Sequence, residues 1–564
     1  MLEQKKSNFL KGAAILATTG VFVKIVGAIY QIPILRVMGN EGAGYFHVTY
    51  MVYAFILAIS TAGVPVALSR LVSSAAARGN IPLVKRYYSV AMPAFIAIGL
   101  IAMLVMFFFA NAIADLMNTS LAAYGIRVLA PAVFFVCIIS VYRGYAQGFE
   151  NMIPTAASQV IEVVSKAVFG IAVVFYLSRL NYEPHFVSAG AITGVTIGLG
   201  LCIPLMMWYK RRMDKSVVYN DEEKIECSSE NSNESDFSEA NKLPELPSRK
   251  HILLRILKVS IPISLSASFM SIMGVIDTSV VSGRLQYALL LSESEAASLL
   301  GIFRKGLSIY NLPPSLIVPL AVSIIPAIAG AIAIENRDGA RSITQSSVKL
   351  MNLFAMPACA GIMVLAGPIL KALYYDPGQL AETTATMTMI LTILGAASYF
   401  VCFQHLTIAV LQANGYERVA LITFPVGAAV KITLSYFLVG NPNIGIIGSP
   451  IGTLACFAII VTLNVLFIIF KVKERMKIID GFLKPLLCAA IMAAVAYFVY
   501  QGAYWLGSGI LGTGNTATVI YLAIAILAGI LVYAALVVIT KAITKDDLAY
   551  VPKGDKLAKL LRVR

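Results

Sequence analysis

Charged side chains inside long apolar segments are the residues of this chain that could do chemistry. They are Lys24, Asp277, Lys431 and the pair Glu162 and Lys166. An ionisable group at membrane depth costs about 2.5 to 3.5 kcal/mol on insertion scales, so it normally faces a protein interior or a water-filled path. A buried lysine attracts anions, whereas a lone carboxylate must be protonated, paired with a cation or bound to an ion. These five residues are therefore candidates for binding a charged substrate or a coupling ion.

The elements that position these residues are predicted to be membrane helices. The chain has 564 residues, of which 59% are hydrophobic and 13% charged, and its mean hydropathy of +0.81 is far above that of a soluble domain. Apolar runs of about 20 residues, long enough to cross a hydrocarbon core of about 30 Å, recur from end to end. We predict an all-α polytopic membrane protein with about fourteen transmembrane helices. The predicted spans are 9–34, 45–69, 87–110, 120–142, 155–178, 186–208, 259–282, 308–334, 350–373, 386–411, 419–440, 446–470, 482–505 and 517–540.

The distribution of basic residues predicts the orientation of the chain. The basic N-terminus resembles a signal peptide, but its apolar stretch is long, contains Lys24 and has no clear cleavage site, so we interpret it as the first span. With both termini in the cytoplasm, most of the 44 Lys and Arg residues fall in cytoplasmic segments, as the positive-inside rule requires. The net charge of +15 is thus a topology signal and an attraction to anionic lipid, not a nucleic-acid footprint. The seven cysteines form no CxxC pair, and we predict neither a disulfide framework nor a metal site.

Two halves of the sequence look like parallel repeats. Pro65–Ser69 resembles Pro319–Ser323, and Gly148-Phe-Glu150 resembles Gly415-Tyr-Glu417. The next predicted helix contains Lys166 after the first of these Gly-x-Glu motifs and Lys431 after the second. Their common order favours duplication, and six spans in each half make the repeats parallel. The polar segment 210–255 has the composition of a disordered linker between the halves. The predicted organisation is a six-helix bundle at 1–209, a cytoplasmic linker at 210–255, a second six-helix bundle at 256–477, helices 13 and 14 at 478–545 and a basic cytoplasmic tail at 546–564.

Two helix faces give the lysines alternative interpretations. In span one, Lys24 and Gln31 share a face with small residues, which is typical of close helix packing with a snorkelling lysine, or of a lining for a polar cavity. In span five, Gln159, Glu162 and Lys166 form a polar stripe, and Glu162 and Lys166 at i and i+4 could neutralise each other. No acid lies at the corresponding place near Lys431, which predicts that Lys431 is the freer cation.

Other polar residues in the spans are also open to two interpretations. Asp277 in span seven either pairs with a lysine or forms a coupling-ion or proton site. His405 beside Gln404 is either a satisfied interior histidine or part of a proton relay. Arg36, Arg70 and Arg304 lie near span ends, where interfacial anchoring is the ordinary role unless they line the same cavity.

Several motifs resemble a known family. The run Tyr142-Arg143-Gly144-Tyr145-Ala146-Gln147-Gly148, with Asn151-Met152 and Pro154–Gln159, resembles the polysaccharide-transporter group of the MATE-like flippase superfamily, which includes stage V sporulation protein B and lipid II flippases. Asn311–Pro313 and Ala321–Pro326 are similar to the same group. The resemblance implies a bacterial cytoplasmic membrane protein that moves undecaprenyl-pyrophosphate-linked cell-wall precursors from the inner to the outer leaflet by alternating access, driven by an ion or by the membrane potential.

This resemblance gives the candidate residues expected roles. Lysine and arginine side chains in a central cavity would hold a pyrophosphate, and Asp277 would be the ion-coupling residue, for Na⁺ or H⁺. The expected pyrophosphate-binding residues are Lys24, Arg36, Arg70, Lys166, Arg304 and Lys431, with Gln31, Gln159, Glu162, Gln404 and His405 as polar cavity residues. We expect no resident cofactor and no nucleic-acid partner, and we expect a monomer that contacts membrane lipids and the cell-wall synthesis machinery.

Three other functions remain open at this stage. A cation-coupled multidrug exporter of the MATE type shares the twelve-helix core but often uses an acidic residue in its first half, where this chain has Lys24, so the departure favours an anionic substrate. A membrane enzyme would need a carboxylate or histidine cluster at the membrane surface, which the sequence does not offer. A scaffold without transport activity would tolerate neutralisation of every buried charge.

Overall fold

The computed structural model confirms the predicted all-α class: the residues it describes form helices, turns and short connections, with no strand among them. The helices form where apolar runs lack internal breaks, and polar side chains fix several of their starts. Asn80 and Asn336 each accept a backbone N–H of the first turn, which satisfies donors that a helix start otherwise leaves unpaired. The described residues are 18–20, 22–23, 25–27, 29–61, 63–149, 151–229, 247–333, 335–374, 381–472, 479–509, 512 and 514–540.

The helices are numbered here in chain order. The first nine are α1 (Thr18–Val37), α2 (Gly39–Thr61), α3 (Gly63–Ala77), α4 (Ile81–Phe108), α5 (Ala110–Leu116), α6 (Ala123–Gly148), α7 (Ile153–Arg179), α8 (Pro184–Ser229) and α9 (Arg249–Tyr287). The others are α10 (Glu293–Tyr310), α11 (Leu312–Ala333), α12 (Arg337–Val364), α13 (Ala366–Tyr374), α14 (Ala381–Ala413), α15 (Ala420–Val439), α16 (Gly448–Phe467), α17 (Lys484–Gly507) and α18 (Asn515–Ile539).

Twelve stretches of the described chain are long and apolar enough to cross a membrane, so the protein is a multi-pass integral membrane protein. They overlap twelve of the predicted spans, although the ninth is shifted, since the observed stretch is Arg337–Val364 and the predicted span is 350–373. At the other two predicted positions the structure has the helices α9 and α11, and the total of fourteen spans remains a prediction.

The prediction of a disordered linker at 210–255 is wrong for the first part of this segment. Helix α8 continues through residues 210–229, because no proline or glycine interrupts the chain there and Lys210 pairs with Asp214 one turn later. At the other end of the predicted linker, helix α9 begins at Arg249. Residues 230–246, the centre of the predicted linker, lie outside the description.

The chain divides into two compact units. Unit 1 consists of residues 1–30 and 48–275, and unit 2 of residues 31–47 and 276–564. The core of unit 1 joins side chains of α3, α4, α6 and the first part of α9, including Leu68, Tyr87, Val141 and Ile256. The division therefore falls within α9 and not within the predicted linker, since the beginning of this helix is buried in the core of unit 1.

The core of unit 2 is formed by α11, α12, α14 and α16, with Met351, Leu406 and Val461 at its centre. Helices α17 and α18 belong to this unit. The Tyr533 hydroxyl of α18 donates to the carbonyl of Leu353 at 2.7 Å. The two helices outside the predicted repeat are thus attached to the second unit by a partly buried hydrogen bond as well as by apolar packing.

A helix that the sequence did not predict precedes span eight. Ser292 and Glu295 form a capping box that starts α10, and α11 begins at Leu312, directly after the C-terminal cap Asn311 of α10. Pro313 and Pro314 lie in the first turn of α11, where proline is tolerated, but they cannot continue α10 because proline lacks the N–H that its next hydrogen bonds would need. Residues that the sequence placed near the start of span eight therefore lie in the middle of α10.

In each unit, a glycine of the next helix packs against the helical turn that carries the membrane lysine. In unit 1, a Cβ on Gly194 of α8 would lie 2.8 Å from the carbonyl oxygen of Lys166 and 2.5 Å from the nitrogen of Gly170. In unit 2, a Cβ on Gly452 of α16 would lie 3.1 Å from the carbonyl oxygen of Lys431. Small residues allow helix backbones to approach closely in membranes. Close helix packing at a glycine therefore fixes the position of Lys166 in α7 and of Lys431 in α15.

We predict that Gly194→Ala lowers the stability of the protein by about 1 to 3 kcal/mol, because the added methyl overlaps backbone atoms that cannot rotate away. Gly200→Ala is the matched control, since it lies on the same helix and its Cβ would lie 3.5 Å from the Phe135 ring, an ordinary contact. The measurement is the thermal unfolding temperature of both variants in one detergent. Equal unfolding temperatures would contradict the close packing of α7 and α8.

Candidate functional site

Lys166 in unit 1 lies between two tyrosine rings. Its Nζ donates a hydrogen bond to the Tyr50 hydroxyl at 3.2 Å. The same nitrogen lies 4.8 Å from the centre of the Tyr50 ring and 5.1 Å from that of the Tyr30 ring. A cation over an aromatic face is stabilised by the ring quadrupole. The charge of Lys166 is thus held by neutral groups, and no carboxylate is among its described contacts.

The nearby carboxylate in unit 1 binds a different cation. Glu162 Oε2 lies 3.2 Å from Arg143 Nη2, and Arg143 Nε donates to the Ser158 hydroxyl at 2.9 Å. The interpretation in which Glu162 and Lys166 neutralise each other is therefore wrong, since α6 supplies the partner of Glu162. With Arg143 neutralised by Glu162, the positive charge of Lys166 remains in excess in this group.

Asp277 in unit 2 is paired with Lys431. The Lys431 Nζ lies 3.0 Å from Asp277 Oδ2, and the Ser435 hydroxyl donates to Asp277 Oδ1 at 2.8 Å. The Asp277 side chain is 4% exposed and that of Lys431 is 21% exposed. Of the two interpretations of Asp277, the contacts match pairing with a lysine. The prediction that Lys431 is the freer cation of the two is wrong, because α9 brings a carboxylate to it that the local sequence does not contain.

A second basic group in unit 2 lies on α10. Arg304 and Lys305 are 5% and 3% exposed, so the expectation that Arg304 anchors the chain at an interface is wrong. Lys305 Nζ donates to the Asn40 side-chain carbonyl at 2.6 Å, and the Arg304 guanidinium lies 5.8 Å from the centre of the Phe46 ring. His47 is also buried, and the centre of its ring lies 6.1 Å from that of Phe303, the residue before Arg304.

The remaining candidates differ in their exposure. Arg36 and Arg70 are exposed, Gln404 is buried, and Gln31, Gln159 and His405 are half-buried. Lys24 lies outside the described residues. No three His, Cys, Asp or Glu side chains come together as a metal site in the part of the chain that the structure describes.

Sequence reasoning missed the tyrosines around Lys166, although the predicted repeat contains a signal for one of them. Gly27-Ala28-Ile29-Tyr30-Gln31 matches Gly274-Val275-Ile276-Asp277-Thr278 in spacing and in its apolar positions. Tyr30 therefore occupies in the first half the position of Asp277 in the second. Lys166 contacts Tyr30 in unit 1, and Lys431 contacts Asp277 in unit 2. In the predicted repeat, the two lysines thus have corresponding neighbours of different chemistry, one neutral and one acidic.

Residues 9–332, more than half of the chain, match the family described as polysaccharide biosynthesis protein. The chain belongs to this family. Among curated relatives from Bacillus subtilis (strain 168), it is 26% identical to the uncharacterized membrane protein YabM over 99% of this chain and 98% of the relative. It is 24% identical to stage V sporulation protein B over 97% and 98%, and 23% identical to the lipid II flippase MurJ over 77% and 78%.

Solved structures show the same fold. The lipid II flippase MurJ in an inward closed conformation matches with a TM-score of 0.65 and 18% identity, over 93% of this chain and 98% of the flippase. An inward-facing multidrug resistance transporter of the MATE family matches with a TM-score of 0.60 and 16% identity, over 84% and 98%. The chain therefore has the fold of the flippases and transporters of the MOP superfamily, as its motifs predicted.

The different partners of the two lysines predict different costs of removing them. We expect Lys431→Met to destabilise the protein by about 3 kcal/mol, because it leaves the buried Asp277 carboxylate without its cation. Lys166→Met is the matched comparison. It removes cation–π contacts worth about 0.5 to 2 kcal/mol and leaves only neutral tyrosines behind.

The measurement is the unfolding temperature of each variant in detergent, with the double variant Asp277→Asn/Lys431→Met as a further control. The double variant should be more stable than Lys431→Met alone, since it no longer buries an unpaired charge. A Lys431→Met variant as stable as Lys166→Met would show that the ion pair does not form in solution.

Proposed function

We propose that this protein is a flippase that moves an undecaprenyl-pyrophosphate-linked cell-wall precursor, lipid II or a related lipid-linked oligosaccharide, from the inner to the outer leaflet. Lys166 carries this function. It is a cation of a predicted membrane helix whose described partners, Tyr30 and Tyr50, are neutral. Its charge is available to an anion, and a pyrophosphate is the anionic part of such a lipid.

The basic residues of unit 2 have separate roles in this function. Arg304 is a buried guanidinium, and its planar group can donate two parallel hydrogen bonds to the oxygens of a phosphate, a geometry that a lysine lacks. Lys431 neutralises Asp277, so it contributes structure and charge balance before it contributes binding. Lys24, outside the described residues, keeps its predicted place among the pyrophosphate-binding residues. Arg36 and Arg70 are exposed, and we assign them no contact with the substrate.

Sequence similarity to curated relatives favours a lipid-linked precursor over a cationic drug as the substrate. One curated relative is named as a lipid II flippase, and the family match is to polysaccharide biosynthesis proteins. The acidic residues at membrane depth, Glu162 and Asp277, are both paired with cations of the chain itself. A cationic drug would have to displace Arg143 or Lys431 to reach either carboxylate.

The membrane potential favours the outward movement of an anion. Moving one negative charge outward across an inside-negative membrane releases about 2.3 kcal/mol for each 100 mV. The Lys431 ammonium already occupies the position beside Asp277 that a coupling cation would need. We therefore propose that transport depends on the potential and does not require Na⁺ or H⁺ binding at Asp277.

The substrate can be tested in cells depleted of this protein and of redundant flippases. Wild type should restore the outer-leaflet share of the undecaprenyl-pyrophosphate-linked precursor, and Lys166→Gln should restore less than a tenth of it, because the cation that faces the pyrophosphate is lost. Lys166→Arg keeps the charge and should restore most of the activity. Arg70→Gln changes an exposed residue and serves as the control.

The leaflet distribution of the precursor is the measurement, with the amount of each variant in the membrane as a check on folding. Full restoration by Lys166→Gln would refute the role of Lys166. An unchanged distribution in depleted cells, together with increased sensitivity to cationic drugs, would instead assign the protein to drug export.

The driving force can be tested with purified protein in liposomes at a fixed membrane potential. Replacing Na⁺ by choline, or abolishing the proton gradient, should leave wild-type transport unchanged. Lys431→Ala frees the carboxylate of Asp277, and its transport should become dependent on Na⁺ or on pH. A wild-type requirement for either cation that disappears in Asp277→Ala would contradict potential-driven transport and restore Asp277 as the coupling site.

A further inference from the structure

The hydroxyl of Tyr53 is a buried polar group without a partner. Tyr53 lies on α2 in unit 1 and is 3% exposed, and its hydroxyl makes no hydrogen bond to any residue that the structure describes. Buried tyrosine hydroxyls usually have a partner, because a polar group left unpaired away from water costs free energy. A ligand that supplies the missing partner is one physical reason for keeping such a group.

Tyr53 lies next to a residue that binds Lys166. Tyr50 and Tyr53 are three positions apart in α2, so they share one face of this helix. Their ring centres are 5.8 Å apart, with an angle of 61° between the ring planes. The Tyr50 hydroxyl accepts a hydrogen bond from Lys166 Nζ at 3.2 Å. Tyr53 is therefore the next residue on this face of α2 after the partner of Lys166.

The other polar groups one turn from Lys166 already have partners. Glu162, four residues before Lys166 in α7, binds Arg143 at 3.2 Å, and Arg143 also donates to the Ser158 hydroxyl at 2.9 Å. A ligand would have to break one of these contacts to bind there. The Tyr53 hydroxyl has no described bond to lose, so it can bind a ligand without that cost.

Tyr53 lies on the cytoplasmic side of Tyr50 in the predicted orientation, in which span two runs from the outer to the inner side of the membrane. Three residues of α-helix separate the two tyrosines by about 4.5 Å along the helix axis. A lipid-linked precursor enters from the inner leaflet in the proposed function. An anion bound at Lys166 therefore extends toward Tyr53 if it contains more than one phosphate.

We propose that the Tyr53 hydroxyl donates a hydrogen bond to the second phosphate of a pyrophosphate whose first phosphate is bound by Lys166. This inference rests on the proposed function, since it assumes that an anionic lipid binds at Lys166. Tyr53 is buried, so its hydroxyl reaches the anion after Lys166 exchanges its bond to Tyr50 for one to the first phosphate and the ring of Tyr50 shifts. A lipid monophosphate binds Lys166 alone, and Tyr53 thus selects pyrophosphate-linked carriers.

The test measures the affinity of the purified full-length protein in detergent for undecaprenyl pyrophosphate and for undecaprenyl phosphate. Wild type should bind the pyrophosphate more tightly than the monophosphate. Tyr53→Phe removes only the hydroxyl, so it should lose about tenfold in affinity for the pyrophosphate, the factor expected for one hydrogen bond to a charged group. Its affinity for the monophosphate should be unchanged. Lys166→Gln should lose affinity for both lipids, because it removes the cation that they share.

Thermal unfolding without lipid separates binding by Tyr53 from a structural role. Because the Tyr53 hydroxyl has no described partner, Tyr53→Phe should unfold at the temperature of the wild type or above it. Tyr145→Phe is the matched control in the same unit. The Tyr145 hydroxyl donates to Asp214 at 2.8 Å, so this variant should unfold at a lower temperature and keep both lipid affinities.

Two results would overturn the role of Tyr53 alone. One is a Tyr53→Phe variant that binds the pyrophosphate as tightly as the wild type, or loses equal affinity for both lipids, while Lys166→Gln loses both. The other is a lower unfolding temperature of Tyr53→Phe, which would show that its hydroxyl has a partner within the protein. Failure of the proposed function gives a different pattern: the wild type then binds neither lipid, or binds both no better than Lys166→Gln.

Discussion

The neutralisation of charge at membrane depth is the constraint on which the rest of this structure depends. A buried ionisable group is tolerated only when protein groups replace the water it has lost. Glu162 has Arg143, Asp277 has Lys431 and Ser435, and Lys166 has two tyrosine rings. The close packing of α7 with α8 and of α15 with α16, at Gly194 and Gly452, holds the two lysines at the depths where these partners can reach them.

The two units solve the same problem differently. Lys166 and Lys431 occupy equivalent places in the predicted repeat, but the residue facing them is Tyr30 in one and Asp277 in the other. An aromatic partner leaves the charge of the lysine uncompensated, whereas a carboxylate cancels it. The two halves of the predicted repeat therefore keep the same helix packing, while the lysine of one contacts neutral rings and the lysine of the other forms an ion pair. This difference is the basis on which we propose anion binding for Lys166 and charge balance for Lys431.

The helices beyond the predicted repeat have a role of their own in this arrangement. Helices α17 and α18 attach to unit 2 through apolar packing and the contact of Tyr533 with Leu353. Side chains of both helices pack with Leu365 and Ala372 of unit 2. They therefore enlarge the apolar core of this unit although they lie outside the predicted repeat.

The amino-acid sequence by itself determined the helical membrane class, the positions of twelve spans and the family, because hydropathy and motifs are properties of short segments. It also identified Lys166, Asp277 and Lys431 as exceptional, since a charge in an apolar run needs no tertiary information to be noticed. It placed Arg304 at an interface and predicted a disordered linker where α8 continues to Ser229, because it missed α10 and overvalued composition. Only the tertiary structure decided the partners of each charge: Tyr50 lies 116 positions before Lys166. Such contacts depend on how helices pack, which no local pattern specifies.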